Sequence, residues 1–232
     1  MNKELFLETL AKNNIACSSE TYDELVLFMK KTLEVNEQFN LTAIKDEDSF
    51  MEKMILDSSL ASLPFDFSNK KIIDVGTGAG FPGLVLYILN KNIHMTLLDS
   101  TAKKINHLKN YCLEKKYDVK TICDRAENYS RAHNEEYDFA TARAVAHLSI
   151  LLELIIPLLK VNGYFIALKG PGVEEEIKES EKAFKKLGCV LENNISYSLP
   201  SGEKRNLVIV KKLSKTNKKY PRTYDQIKKL PL

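Results

Sequence analysis

The sequence lacks the features that stabilise secreted proteins or anchor proteins in membranes. Its four cysteines are scattered without a CxxC pair, a pattern that predicts idle thiols and no metal site. No apolar run approaches the ~20 residues that a membrane-spanning helix requires. The N-terminal stretch is polar and does not resemble the apolar core of a signal peptide. A cytoplasmic protein without membrane contact is therefore expected.

Positive charge is concentrated at the C-terminus. The net charge is +3, yet residues 211–232 contain eight Lys or Arg and one acid, so the preceding residues sum to −4. A basic tail on a mildly acidic body is expected where one edge of a protein meets a polyanion. A solvated, frayed terminus is the alternative, but Tyr220, Tyr224 and Ile227 favour a tail that docks.

Helical periodicity dominates residues 1–68, and alternating strand-like and helix-like runs follow from residue 70. Strands are predicted near 70–75, 94–99, 119–123, 137–143, 163–169, 190–198 and 206–212. Helices are predicted between them at 82–90, 101–116, 147–159 and 174–187. This order predicts an open α/β sheet with an antiparallel hairpin at one side, in a domain spanning 69–213. A helical N-terminal extension (1–68) and the basic tail (214–232) flank that domain.

A glycine-rich turn, "IIDVGTGAGFPG" at residues 72–83, follows the first predicted strand. The dinucleotide fingerprint G-x-G-x-x-G needs a third glycine three positions after the second. Here Gly76 and Gly78 are followed by Gly80 and then by Phe81. This G-x-G-x-G spacing resembles motif I of the class I S-adenosylmethionine-dependent methyltransferases, in which the backbone passes close to the cofactor because a Cβ would collide with it. Tight packing of the turn is the alternative.

Two acidic residues accompany the turn. Asp74 precedes it and can orient either the loop or the amino group of the cofactor. Asp99 ends the second strand, 23 residues after Gly76, where a carboxylate can accept hydrogen bonds from both ribose hydroxyls. Because NAD enzymes share this second feature, it predicts a bound nucleoside and does not distinguish the two cofactors.

Further motifs extend the resemblance over nearly the whole chain. They are "FNLTAI" (39–44), "LDSS" (56–59), "LLDS" (97–100), "DRAE" (124–127), "TARAVAHL" (141–148), "ALKG" (167–170), "YPR" (220–222) and the final "KLPL". In this order and spacing they are similar to one bacterial family, the 16S ribosomal RNA guanine-N7 methyltransferases, also called glucose-inhibited division protein B.

The resemblance implies a class I methyltransferase fold, which is Rossmann-like, with a mostly parallel seven-stranded sheet, an antiparallel hairpin strand and a helical N-terminal extension. It implies methyl transfer from S-adenosylmethionine, which becomes S-adenosylhomocysteine, to N7 of guanosine 527 of 16S rRNA in the small ribosomal subunit. No obligate protein partner is indicated, and a monomer is expected. The expected cofactor contacts are Gly76, Phe81, Ala126, Glu127 and Arg143, beside Asp74, Gly78 and Gly80 of motif I and Asp99 at the end of the second strand.

The chain departs from the family pattern at two places. Met54 stands where family members commonly carry a histidine, so any role of that imidazole is absent. Asp225 and Ile227 replace the glycine and the second proline of the usual C-terminal pattern P-R-x-x-G-x-P. The tail is therefore expected to dock differently.

Methylation at guanine N7 requires no general base, because N7 has a free lone pair and loses no proton. The catalytic candidates are cations at the carboxyl edge of the sheet, namely Arg143 after the fourth strand and Lys169 at the end of the fifth. Arg143 can hold the cofactor carboxylate, a phosphate or the O6 edge of guanine, or it can only pair with a neighbouring acid. Lys169 is assigned to RNA contact or to the architecture of the site. His147 is expected on a helix face rather than in catalysis.

Contact with RNA is assigned to basic residues near the C-terminus. The candidate phosphate ligands are Lys204, Arg205, Lys218, Lys219 and Arg222. The sequence has no Pro-Pro, which motifs for exocyclic-amine methylation contain, and no cysteine after Pro or Thr, which cytosine C5 methylation uses. Three alternatives stay open: methylation of another RNA, methylation of a small molecule, and a non-catalytic nucleic-acid-binding scaffold.

Overall fold

A seven-stranded sheet forms the centre of the computed structural model, which describes residues 1–39, 42–143 and 146–232. The strands are β1 (Lys71–Val75), β2 (His94–Asp99), β3 (Val119–Cys123), β4 (Tyr137–Arg143), β5 (Leu159–Lys169), β6 (Cys189–Ser198) and β7 (Lys204–Lys212). Their order in the sheet is β3-β2-β1-β4-β5-β7-β6. Strands β1 to β5 run parallel, and β7 is antiparallel to both β5 and β6. The predicted, mostly parallel α/β sheet with an antiparallel hairpin is confirmed.

Helices cover both faces of the sheet. They are α1 (Lys3–Lys12), α2 (Ser19–Phe39), α3 (Glu47–Phe50), a π-helix (Met51–Leu56), α4 (Asp57–Leu60), α5 (Gly83–Leu89), α6 (Ala102–Lys115), α7 (Ala126–Ala132), α8 (Leu148–Ile155), a 3₁₀ turn (Ile156–Leu158), α9 (Val173–Glu179), α10 (Glu181–Leu187) and α11 (Tyr224–Lys229). Ile72 of β1 packs in one apolar cluster with Phe28 of α2, whereas Ile73 packs in the other with Leu152 of α8. Because successive strand residues point to opposite faces, the sheet is buried on both sides.

Two features of the helices differ from the sequence prediction. The predicted helix at 174–187 is divided at Ser180, whose hydroxyl donates to the carbonyl oxygen of Glu176 at 2.6 Å and ends the first segment. Helices α7 and α11 are absent from the prediction; their seven and six residues are fewer than the roughly 11–18 over which helical periodicity is recognised. Within the described ranges, no helix combines the length and apolar character needed to cross a bilayer.

The C-terminal tail folds back onto the domain. Tyr220 and Ile227 are buried in the cluster that contains Leu152. The backbone N–H of Ile227 donates to the carbonyl of Thr223 at 3.0 Å, a bond that a proline at this position is unable to donate. Asp225 lies in the first turn of α11, where a negative charge is favourable. Both departures from the family pattern are thus compatible with the helix that this tail forms.

Candidate functional site

A cavity of about 500 Å³ lies at the carboxyl ends of β1, β2 and β4. Cavities of this size hold small organic ligands and cofactors. Seven of the nine residues predicted to contact the cofactor line its wall, namely Gly76, Gly78, Phe81, Asp99, Ala126, Glu127 and Arg143. Asp74 and Gly80 lie behind this wall. The sequence motifs therefore converge on one site, although they come from distant parts of the chain.

The first half of the glycine turn is open toward the cavity. Gly76 and Gly78 have φ angles of +71° and +60°, a left-handed conformation that favours glycine. Among the described residues, a Cβ added to Gly78 would meet nothing closer than the carbonyl oxygen of Gly76, at 3.9 Å. The N–H groups of Gly76 and Thr77 both donate to the carbonyl of Leu98, which fixes the turn against β2. A ligand can therefore approach the bare backbone here.

Gly80 requires a correction, because it serves packing and does not face the cavity. A Cβ on this residue would lie 2.9 Å from Cδ2 of Leu108 and 3.1 Å from Cζ of Phe28. Its φ angle of +101° also disfavours other residue types. The third glycine of the motif thus lets helices α2 and α6 close over the turn.

Asp74 supports the turn from inside the protein. Its carboxylate is fully buried and accepts hydrogen bonds from the N–H of Gly83 at 2.9 Å and from the hydroxyl of Thr141 at 2.8 Å. Burial raises the pKa of Asp74, and these hydrogen bonds oppose the shift. Of the two roles expected from the sequence, the contacts match orientation of the loop.

Gly83, whose N–H donates to Asp74, has no room for a side chain where α5 meets β1. A Cβ there would lie 2.6 Å from Cβ of Asp74 and 2.5 Å from Cδ2 of Leu97. We expect Gly83→Ala to lower the free energy of unfolding by about 1–3 kcal/mol, because the added methyl overpacks the contact between α5 and β1. Gly170→Ala is the matched control, since no described residue lies within 4 Å of the Cβ it would add. Urea unfolding measures both, and equal stability of the two variants would contradict the expectation.

Asp99 presents a carboxylate to the cavity with acceptor capacity to spare. One oxygen accepts from the N–H of Gly78 at 3.0 Å and the other from the N–H of Thr101 at 2.8 Å. A carboxylate has about four acceptor positions, so both oxygens can also accept from the two hydroxyls of a ribose. The position predicted for a nucleoside contact therefore fits that role.

Arg143 is held in the cavity wall by the N-terminal extension. Its Nη1 donates to the carbonyl of Lys53 at 2.7 Å and lies 3.4 Å from Oδ2 of Asp57, while Nη2 contacts Sδ of Met54. Lys53 and Met54 belong to the π-helix, and Asp57 follows it as the first residue of α4, where its N–H donates five residues back to the carbonyl of Glu52. Burial lowers the pKa of Arg143, and the charge of Asp57 opposes this. Arg143 thus pairs with an acid and also lines the cavity.

Asp57 links Arg143 to the hairpin strands. Its Oδ1 accepts from the hydroxyl of Tyr197 at 2.6 Å, and its Oδ2 lies 3.7 Å from Nε of Arg205. Burial raises the pKa of Asp57, whereas Tyr197, Arg143 and Arg205 oppose the shift. We favour the ionised carboxylate, because two guanidinium groups and a hydroxyl donor surround it. The motif "LDSS" marks this aspartate in the sequence without revealing its partners.

Lys169 lies behind the site and is not among the described residues that line the cavity. Its ammonium donates to the carbonyl of Ala146 at 2.7 Å and to Oε2 of Glu176 at 2.7 Å. These contacts match the assignment of Lys169 to site architecture and place its ammonium away from the cavity, so they do not support the predicted catalytic role. His147 precedes α8 at its N-cap, not on a helix face, and its Nε2 lies 2.9 Å from Oε2 of Glu179.

Parts of "FNLTAI" and "TARAVAHL", residues 40–41 and 144–145, lie outside the described residues.

The five candidate RNA ligands divide into two groups. Lys204, Lys218 and Lys219 are exposed and available to a polyanion. Arg205 is engaged with Glu203 at 2.6 Å and with Asp57. Arg222 binds the fully buried Glu153 through Nε at 2.8 Å and Nη2 at 2.7 Å, an internal ion pair that engages the guanidinium predicted to bind phosphate.

Several wall residues are missing from the predicted cofactor contacts, among them Met54, Arg125 and Tyr224. Tyr224 has a signal in the sequence, since the tail contains aromatic and apolar residues among its lysines. Met54 stands out in the sequence only as a departure from the family pattern. Arg125 lies inside the motif "DRAE", but the family resemblance points to the neighbouring Ala126 and Glu127.

Comparison with known families identifies relatives of this chain. The family model described as rRNA small subunit methyltransferase G (GidB) matches residues 21–208. A ribosomal RNA small subunit methyltransferase G of Clostridium botulinum is 44% identical over 221 residues, which cover 93% of this chain and 92% of the relative. The chain belongs to the rRNA small subunit methyltransferase G family. A member from Lactobacillus acidophilus is 40% identical over the full length of both chains.

Solved structures with low sequence identity to this chain share its fold. TrmN from Thermus thermophilus superposes with a TM-score of 0.55 at 18% identity, covering 68% of this chain and 48% of TrmN. A SAM-dependent methyltransferase from Aquifex aeolicus gives 0.51 at 16% identity, covering 71% and 94%. These similarities establish the class I methyltransferase fold expected from the sequence.

Proposed function

We propose that this protein transfers a methyl group from S-adenosylmethionine to N7 of guanosine 527 of 16S rRNA in the small ribosomal subunit. One observation carries the proposal: the open glycine turn, Asp99 and Arg143 line the same cavity. Membership of the small subunit methyltransferase G family supports the choice of reaction and of RNA.

The residues of the cavity fit the proposed cofactor. Asp99 retains acceptor positions for the ribose hydroxyls, and the space beside Gly78 admits the methionine part. Ala126 and Glu127 lie at the end next to β3, where the adenine edge would be held. When bound, S-adenosylmethionine supplies an electrophilic methyl group on a positively charged sulfur.

Catalysis by this chain is positioning. Guanine N7 attacks with its own lone pair, so no residue has to remove a proton. Arg143 is unsuited to act as a base, and it is fixed by Lys53 and Asp57 in the wall. From there it can orient a carboxylate, a phosphate or O6 of the target guanine so that N7 lies in line with the methyl group. Lys204, Lys218 and Lys219 supply the exposed charge for RNA contact.

The oligomeric state is inferred from the cavity, and the cellular location is inferred from the substrate. The described residues of one chain furnish the cavity wall, so we propose that a monomer acts without an obligate protein partner. We further infer that it acts in the cytoplasm, because small ribosomal subunits are there.

Labelled methyl transfer to small subunits from a strain lacking this protein tests the proposal. We expect one 7-methylguanosine per 16S rRNA after nucleoside digestion, and primer extension after borohydride reduction and aniline cleavage at the methylated base to map it to position 527. Label in another nucleoside would refute N7 as the target. Transfer to purified 23S rRNA or to small-molecule extracts, with none to small subunits, would favour the other substrates. Calorimetric titration with S-adenosylmethionine separates an enzyme from a scaffold, because a scaffold would not bind it.

A further inference from the structure

The C-terminal helix α11 contributes one wall of the cofactor cavity. The ring of Tyr224 lies 4.9 Å from the guanidinium carbon of Arg125, in cation–π geometry, and both residues line the cavity. A second cavity of about 310 Å³ shares Arg125, Glu127 and Tyr224 with the first. The stacked pair of Arg125 and Tyr224 therefore lies between the two cavities.

The tail on either side of Tyr224 is fixed to the domain. Before it, Arg222 is paired with the buried Glu153, and the carbonyl of Pro221 accepts from Nε of Arg131 at 3.1 Å. After it, Ile227 is fully buried. Tyr224 is thus held in place by anchors that do not depend on its own ring.

Arg125 is constrained from two directions. Its Nε donates to Oε1 of Glu127 at 2.5 Å, and the ring of Tyr224 lies against its guanidinium. The pair of Arg125 and Tyr224 lies at the end of the cavity next to β3. Asp99 lies between this pair and the glycine turn. A guanidinium plane fixed at this place can stack on a purine base.

We propose that the tail completes the cofactor cavity and that Tyr224 is a positioning residue, which holds Arg125 against the purine end of the bound nucleoside. This inference rests on the proposed use of S-adenosylmethionine. Without the ring, Arg125 gains freedom to swing toward the second cavity, and the purine end is left open to solvent. The bound cofactor then dissociates faster, while the geometry at the methyl group is unchanged.

Calorimetric titration with S-adenosylhomocysteine tests the role of Tyr224. We expect Tyr224→Ala to weaken binding about three- to fivefold, which is the value of a cation–π contact at an exposed site such as Arg125. Tyr224→Phe keeps the ring and is expected to bind within about twofold of the wild type. Lys228→Ala, an exposed change on the same helix, is the matched control. In the transfer assay, Tyr224→Ala should raise KM for S-adenosylmethionine and leave kcat unchanged.

The outcomes separate this inference from the proposed function. If the wild type binds neither S-adenosylhomocysteine nor S-adenosylmethionine, the proposed function fails and the inference falls with it. If the wild type binds and the folded Tyr224→Ala variant binds equally well, only the role of Tyr224 is refuted. Failure of Tyr224→Phe to restore binding would also refute it, because the ring would not be the active group. Tyr224→Leu replaces the alanine variant should that variant not fold.

Discussion

Replacing Arg222 with alanine is expected to lower the free energy of unfolding by about 3–5 kcal/mol, because it leaves a buried carboxylate without its counter-charge. Glu153 is fully buried, and both of its oxygens accept from the Arg222 side chain. The backbone N–H of Arg222 also donates to Oε1, at 2.9 Å, and one neutral donor does not compensate a buried charge. Chemical denaturation should show a lower midpoint for Arg222→Ala.

A second variant distinguishes an internal ion pair from a phosphate ligand. Combining Arg222→Met with Glu153→Leu removes both charges and should recover most of the lost stability. Lys218→Ala is the exposed control and should leave the unfolding midpoint unchanged. If Arg222→Ala instead keeps full stability and only reduces the salt dependence of RNA binding, the sequence-based assignment to RNA is right and the internal role is refuted.

Arg143→Ala is expected to reduce methyl transfer to small subunits by about 10²-fold, since loss of a positioning contact misplaces the reacting atoms. The variant should remain folded. Asp57, the carboxylate left behind, keeps the hydroxyl of Tyr197 at 2.6 Å and the guanidinium of Arg205 at 3.7 Å. Circular dichroism and labelled transfer measure the two properties separately.

Arg143→Lys is the informative companion, because it keeps the positive charge and loses the planar fork. If Arg143→Lys recovers part of the transfer that Arg143→Ala loses, the positive charge contributes even without the planar geometry of the guanidinium. Lys160→Ala serves as the control, since Lys160 pairs with Asp138 at 2.6 Å and lies at the opposite end of β4 and β5. Turnover by Arg143→Ala equal to that of the wild type would remove Arg143 from the site.

The sheet and the position of the site were predictable because strands and turns are encoded locally. Runs such as Tyr137–Arg143 alternate with helical segments, and parallel strands place their carboxyl ends at one edge. Glycine spacing and Asp99 then located the cavity. Strand β5 differs from its prediction, because it begins at Leu159 and not near 163. The added residues follow from the pairing of Tyr137 with Leu159, which lies beyond a register shift between β4 and β5.

Roles that depend on distant partners were not predictable. Gly76, Gly78 and Gly80 look equivalent in the sequence, yet Gly80 makes room for Phe28 and Leu108, which come from other helices. Likewise, Arg222 resembles its neighbouring lysines in a basic tail, and only Glu153, 69 residues away, reveals its internal role. Such assignments require tertiary contacts that no local pattern encodes.

The ion pair between Glu153 and Arg222 forms late in synthesis, because the chain leaves the ribosome from its N-terminus and Arg222 follows Glu153 by 69 residues. The strands β1 to β7 and Glu153 emerge during translation before Arg222 does. A nascent chain can therefore assemble its sheet while Glu153 still lacks its counter-charge, and a product truncated by premature termination before Arg222 keeps that defect. Newly made protein thus gains this contribution to its stability only after Arg222 has left the ribosome.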